Sequence, residues 1–144
     1  MIEERCGRDK VTGPTERLVC LTLYNLAMNP APVKPMITLE SLNQIDIRVG
    51  TILSVAEVPN SDNLMQLRVS FGDHERRIVA GIRKERANPR EIEGKQALFV
   101  VNLEPRKMRG VQSEGMLFDI GYGDGLTPVL AVPESPVPDG TRAG

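Results

Sequence analysis

From position 45 onward the chain alternates. Ile45, Ile47, Val49, Leu53 and Val55 fall on odd positions, with Asp46, Arg48 and Ser54 between them. A period of two predicts a half-buried strand, with those five residues on one face. Gly50 permits a bend or bulge in so long a strand. Residues 59–63 (PNSDN) form a turn by composition. Met65, Leu67, Val69 and Phe71 then alternate with Gln66, Arg68 and Ser70, a second half-buried strand. Gly72 and Asp73 open the next turn, where His74 also lies, and residues 77–82 read as a third strand.

Two short helices punctuate the strands. Thr38 can cap one over residues 39–44. Asn88 can cap another, with Pro89 at its first position, Glu91 placed to reach back as in a capping box, and Gly94 past its end. Residues 96–103 (QALFVVNL) are an apolar strand, residues 108–120 contain another interrupted by Gly110 and Gly115, and residues 129–132 a short extra one. Strand, strand, strand, short helix, strand, strand suits an all-β protein. The specific expectation is an OB-fold, a five-stranded Greek-key barrel with one short helix between strands 3 and 4 and a C-terminal extension.

Residues 1–35 do not share this order. They hold Pro14, Pro30, Pro32 and Pro35 and no sustained period. Residues 18–28 are apolar enough to mimic a signal-peptide core. Glu3, Glu4, Asp9 and Glu16 before them, and Tyr24 and Asn25 within, argue against it. The tail is expected to be a disordered extension, or an over-long start with Met36 as the true beginning. The domain proper is 36–144.

Composition removes whole classes of function. Three Phe, two Tyr and no Trp make a sheet face that stacks several bases an unsuitable reading. One histidine, His74, leaves little room for Ser-His-Asp or Cys-His catalysis. Cys6 and Cys20 with that one histidine cannot make a usual four-ligand zinc site, although a disulfide within the tail is open to them. There is no phosphate loop of the G-x-x-x-x-G-K kind. No enzyme, cofactor or metal is expected. No apolar run is long enough to span a bilayer, and a cytoplasmic location is expected.

The net charge of −1 conceals a sorted pattern. Residues 36–67 carry one Arg against four acids, and residues 110–141 carry five acids and no Lys or Arg. Between them, residues 68–109 carry eleven Lys/Arg against six acids, a net +5. Such sorting points to a basic face on a neutral body. The densest stretch is residues 102–116 (NLEPRKMRGVQSEGM), with Arg106, Lys107 and Arg109 close together. If it is extended from Lys107, then Lys107, Arg109 and Ser113 share a face. An ammonium, a guanidinium fork and a hydroxyl suit phosphate and ribose oxygens. Asn102 adds an amide. A solvated loop whose cations pair with Glu104 and Glu114 is the other reading. Arg83, Lys84, Arg86 and Arg90 form a second basic group, and Arg48 either extends the basic face or pairs with Asp46.

Four stretches together resemble a known family: residues 45–50 (IDIRVG), 59–64 (PNSDNL), 78–82 (IVAGI) and 102–116. The chain is similar, over about residues 36–140, to the tRNA-binding domain at the C-terminus of many methionyl-tRNA synthetases. The same domain occurs as stand-alone dimeric tRNA-binding proteins and in bacterial phenylalanyl-tRNA synthetase beta chains. The resemblance implies an OB barrel that grips the backbone of folded tRNA without catalysis, acting in trans with an aminoacyl-tRNA synthetase. It assigns RNA binding to Asn102, Lys107, Arg109, Ser113 and Met116, which match the family's binding motif, and to Arg48, which matches the arginine of its first strand. Lys84 lies near a position often basic in the family, while Arg83 and Arg106 are added on charge alone. Glu104 and Glu114 place acids inside the motif. The resemblance also implies a homodimer, joined here by the helix after Thr38 and the stretch after Asp124. The alternative is a peptide-binding export chaperone of the CsaA type, built on the same barrel. That branch carries a Ser-Ser-Ala-Gln-like stretch where this chain has Val79-Ala80-Gly81-Ile82.

Overall fold

The computed structural model describes residues 13–27 and 29–144. The chain divides between Pro35 and Met36 into two units. In the first, where a disordered extension is expected, Pro14–Ala27 is a helix, α1. Its start is chemically specified. Pro14 sits at the first helical position, where no N–H is needed, and the Glu16 carboxylate accepts from the Gly13 N–H at 3.4 Å. Cys20 is disulfide-bonded, and the chain's other cysteine, Cys6, lies outside the described residues. Among the described residues no helix is long and apolar enough to cross a membrane.

The second unit is an all-β, OB-like barrel. Its strands are β1 (Ile47–Glu57), β2 (Met65–Ser70), β3 (Glu75–Ala80), β4 (Gln96–Val100), β5 (Arg106–Met108), β6 (Val111–Ser113), β7 (Met116–Leu117), β8 (Asp119–Ile120), β9 (Val129–Leu130) and β10 (Arg142–Ala143). The main sheet runs β3-β2-β1-β4-β7, antiparallel throughout, and β10 adds to the start of β1. A short helix, α2 (Leu39–Leu42), precedes β1, and Thr38 caps it by accepting from the Ser41 N–H. One turn of 3-10 helix, Pro89–Ile92, stands between β3 and β4, capped by Asn88. Glu91 does not reach back to Asn88 as a capping box requires. Its carboxylate faces the Arg86 Nε at 3.4 Å instead.

β1 serves both halves of the barrel. Ile47 to Thr51 pair with β4, and Thr51 to Glu57 pair with β2. A bulge between Ile52 and Ser54 resets the alternation, so Ile52 turns fully inward and Leu53 outward at 36% exposure. This corrects the expectation that Leu53 shares the inward face, and the bulge falls beyond Gly50, where a bend or bulge is permitted, rather than at the glycine itself. Gly50 is needed for close approach: a Cβ there would stand 2.6 Å from Val69 Cγ1. The core gathers Ile52, Val55, Leu67, Val69, Ile78 and Phe99 from the strands, Ile82 from the stretch after β3, and Ile92 from the 3-10 turn. Phe99 meets the Phe71 ring edge-on at 5.7 Å.

The barrel closes between β3 and the stretch joining β6 to β7. The Glu114 N–H donates to the Arg77 carbonyl at 2.8 Å, and the Arg77 N–H donates to the Glu114 carboxylate at 2.9 Å. The C-terminal extension returns along β1 and β4. Thr51 donates to Asp139, and Gln96 donates to the Val137 carbonyl and to Asp139.

Candidate nucleic-acid interface

The motif of residues 102–116 is not one extended strand. β5 and β6 form a tight hairpin, with Arg106 opposite Ser113, Lys107 opposite Gln112 and Met108 opposite Val111. Arg109 and Gly110 make the turn, at φ 48° and 81°. Positive φ at both central residues is what a type I′ turn requires, and its twist matches the strands it joins. Glycine takes that conformation freely, whereas arginine does so at a cost. The face shared by Lys107, Arg109 and Ser113 therefore does not exist. Arg106, Lys107 and Arg109 are exposed, and their side chains make no hydrogen bond or ion pair with a described residue. Ser113 is 3% exposed. Its hydroxyl accepts from the Val79 N–H at 2.9 Å and donates to the Gly115 carbonyl at 3.0 Å.

The hairpin borders a groove on the outer face of β1, β2 and β3. The groove has a volume of about 400 Å³, and its lining includes Ser54, Gln66, Arg68, Arg77, Gln112 and Glu114. Nothing in the sequence pattern alone singles out Arg68 and Arg77. Arg68 sits on the polar phase of the second strand's alternation, but only the pairing register places Arg77 opposite it.

Arg48 and Asn102 lie elsewhere, in a smaller pocket of about 240 Å³ with Asp46, Phe71, His74, Arg76 and Val101. Arg48 grips the Asp46 carboxylate through Nε at 3.1 Å and Nη2 at 3.0 Å. Those bonds are the main reason the Asp46 carboxyl is held below the usual carboxylate range; burial opposes them, and Arg142 on the same carboxylate adds to them. Asn102 joins two turns of chain: its Oδ1 accepts from the Asp46 N–H at 2.8 Å, and its Nδ2 donates to the Gln44 carbonyl at 2.6 Å. Arg76 donates to the Val101 carbonyl at 2.6 Å and the Glu114 carbonyl at 3.2 Å, tying the end of β4 to the closure. Arg76 Nε donates to His74 Nε2 at 3.2 Å, and His74 Nδ1 stands 2.6 Å from the Asp73 carboxylate.

The second basic group splits. Arg83 is spent on the Ser61 carbonyl and the Glu57 carboxylate, each at 2.9 Å. The Arg86 side chain is buried and donates to Glu85. Burial pushes the Glu85 and Asp119 carboxyls up, with Arg86 opposing the shift at both. Lys84 and Arg90 are exposed. Met116 is 46% exposed on β7, opposite Val100. Among the described residues no group of three or more His, Cys, Asp or Glu is placed to hold a metal ion.

Residues 47–142 match the model of a family described as "Putative tRNA binding domain". A methionine--tRNA ligase of Methanospirillum hungatei JF-1 is 37% identical over 134 residues, which are 93% of this chain and 19% of that protein. One from Porphyromonas gingivalis is 40% identical over 116 residues, 81% of this chain and 17% of that protein. The chain thus spans about a fifth of the length of these curated relatives. The crystal structure of a MetRS related protein from Pyrococcus horikoshii superposes with a TM-score of 0.71 at 34% identity, over 77% of this chain and all of that one. The chaperone CsaA of Bacillus anthracis str. Ames superposes at 0.65 with 29% identity, over 76% of this chain and all of that one. The chain belongs to the tRNA-binding domain family.

Proposed function

We propose that this domain binds folded tRNA through its phosphodiester backbone, without catalysing a reaction, and that the β5–β6 hairpin makes the principal contact. The observation that carries this is the display of Arg106, Lys107 and Arg109 around a tight turn with no counter-charge of their own. Cations left without partners favour a polyanion, and arginine forks and lysine point charges both suit phosphate. Lys84 and Met116 are exposed and available to RNA; Ser113 and Asn102 act by holding the hairpin base and the entry to β1. Arg48 contributes only as far as Asp46 releases it.

The similarity to methionine--tRNA ligases supports a module that works alongside such a synthetase, in the cytoplasm. A homodimer is the assembly we infer. α2 buries none of its residues, and Ile37, Leu39 and Leu42 are exposed.

The test is a titration of folded tRNA at several salt concentrations against the intact chain, Lys107→Ala and Arg109→Ala. With about four phosphates neutralised, the slope of log K against log salt is roughly −3 to −4 on duplex regions, and each substitution makes it shallower. A flat salt response overturns the reading. Saturable binding of unfolded peptide in an excess of tRNA favours the chaperone-like alternative to which the CsaA similarity points.

A further inference from the structure

We infer that the outer face of β1, β2 and β3 holds a phosphate subsite in which Arg68 and Arg77 together take one phosphodiester group of the bound RNA. The inference rests on the tRNA reading above and adds to it a second site, away from the hairpin tip.

The pairing register sets Ser54 opposite Arg68, and Arg68 opposite Arg77, so the three residues form one row across three strands. Like charges directly opposite on a sheet repel. The nearest compensation is slight. Glu75 Oε2 stands 3.6 Å from Arg68 Nη1, with both side chains at least half exposed, and such pairs contribute little in water. Glu114 commits one carboxylate oxygen to the Arg77 backbone N–H. The Arg77 guanidinium makes no hydrogen bond or ion pair with a described residue. Two arginines set opposite each other across the strands, with only the exposed Glu75 and the partly committed Glu114 beside them in the groove, form a pair arranged for an anion from outside.

The groove around the pair says which anion. Its lining includes no aromatic ring, so a base finds no stacking platform. Ser54 and Ala56 are small and leave depth, while Gln66 and Gln112 supply amide donors. A phosphodiester oxygen pair can accept from two guanidinium forks at once. Gln112 also joins the two sites, because it lines the groove and pairs with Lys107 across the hairpin. A backbone lying over the hairpin can thus continue onto the Arg68–Arg77 row.

The test compares the intact chain with Arg68→Gln, Arg77→Gln and the double variant, by tRNA titration across salt and by thermal unfolding without RNA. One phosphate shared by two arginines makes the salt slope of the double variant shallower by about 0.9 in all, the weight of a single duplex phosphate. Without RNA, each variant unfolds at the same temperature as the intact chain or higher at low salt, because a repulsion has been removed. A double variant that keeps the full affinity and slope, while Lys107→Ala still weakens binding, overturns the subsite and leaves the hairpin reading standing. So does a slope change of about 1.8, which assigns the arginines to separate phosphates. A marked fall in unfolding temperature overturns it too, by making the pair structural. If the intact chain binds no tRNA, the tRNA reading itself fails.

Discussion

The Ser113 hydroxyl stands 2.9 Å from the Val79 backbone nitrogen, accepting an N–H that the edge of β3 would otherwise leave without a partner as the barrel closes. A serine in a basic motif thus works as part of the barrel wall. Removing it strands a buried donor and the Gly115 carbonyl together. Ser113→Ala is therefore expected to cost about 1–3 kcal/mol of stability by urea or thermal unfolding. Well below the unfolding temperature, its tRNA affinity stays within about twofold and its salt slope is unchanged, because no phosphate contact is lost. A large affinity loss in a fully folded variant would mean that the hydroxyl meets RNA directly.

The Arg109 turn sets stability against binding. At φ 48° arginine holds a conformation that costs an L-residue about 1–2 kcal/mol. Arg109→Gly removes that cost and the cation with it. Glycine loses more chain entropy on folding, so the net gain is about 0.5–1 kcal/mol. The expected outcome is a variant that unfolds at higher temperature and binds tRNA more weakly, with a salt slope shallower by about 1. Calorimetry and a salt-resolved titration on one preparation read both. A fall in stability would show that the arginine side chain has a structural partner.

Asp46 gives the first strand a pH dependence with a definite sign. Its carboxyl is held below the usual range, first by the Arg48 hydrogen bond. The stabilisation is therefore present above the ordinary carboxylate pKa and is lost as the pH falls through the lower, folded value. Asp46→Asn should be less stable than the intact chain at neutral pH, by about 1 kcal/mol. The gap should close as the pH is lowered through the carboxylate range. Since Asp46 occupies both Arg48 and Arg142, its loss frees positive charge, and tRNA affinity at neutral pH is not expected to fall. A gap that is constant with pH would assign the effect to packing.

The parts of this molecule that were legible in sequence are those set by neighbours along the chain. Met65, Leu67, Val69 and Phe71 alternate into the core as their spacing predicts, and Thr38 and Asn88 cap the turns they precede. The parts that were not legible depend on partners far away. Leu53 is exposed because the bulge is settled by pairing with β2, which the period of β1 does not encode. The β5–β6 hairpin was hidden because arginine at a left-handed position is no turn signal, although Gly110 beside it is. Charge identified the basic stretch, but it did not separate Arg106, Lys107 and Arg109, which are free, from Arg83 and Arg86, which are spent on Glu57 and Glu85. That distinction requires knowing which acid folds back onto which cation. The helix of the tail is different: Pro14 and Glu16 are local signals, and the missing apolar period outweighed them.

Dimerisation is expected from the apolar surface that the domain leaves uncovered. α2 buries no residue, and Leu39 is 71% exposed. A one-turn helix has little stability of its own, since nucleation is unfavourable and tertiary packing supplies most helical stability. Thr38 and its cap bonds hold α2 in place, and an apolar partner surface would complete it. The intact chain is expected to be a dimer by sedimentation equilibrium. Leu39→Asp with Leu42→Asp should convert it to a monomer without changing its β-sheet circular dichroism, because neither side chain belongs to the barrel core. If tRNA is gripped by both protomers, the monomer binds it more weakly at every salt concentration, and its slope is reduced in proportion to the phosphates lost. A chain that is monomeric before any substitution would sink the dimer and leave the hairpin to bind tRNA singly.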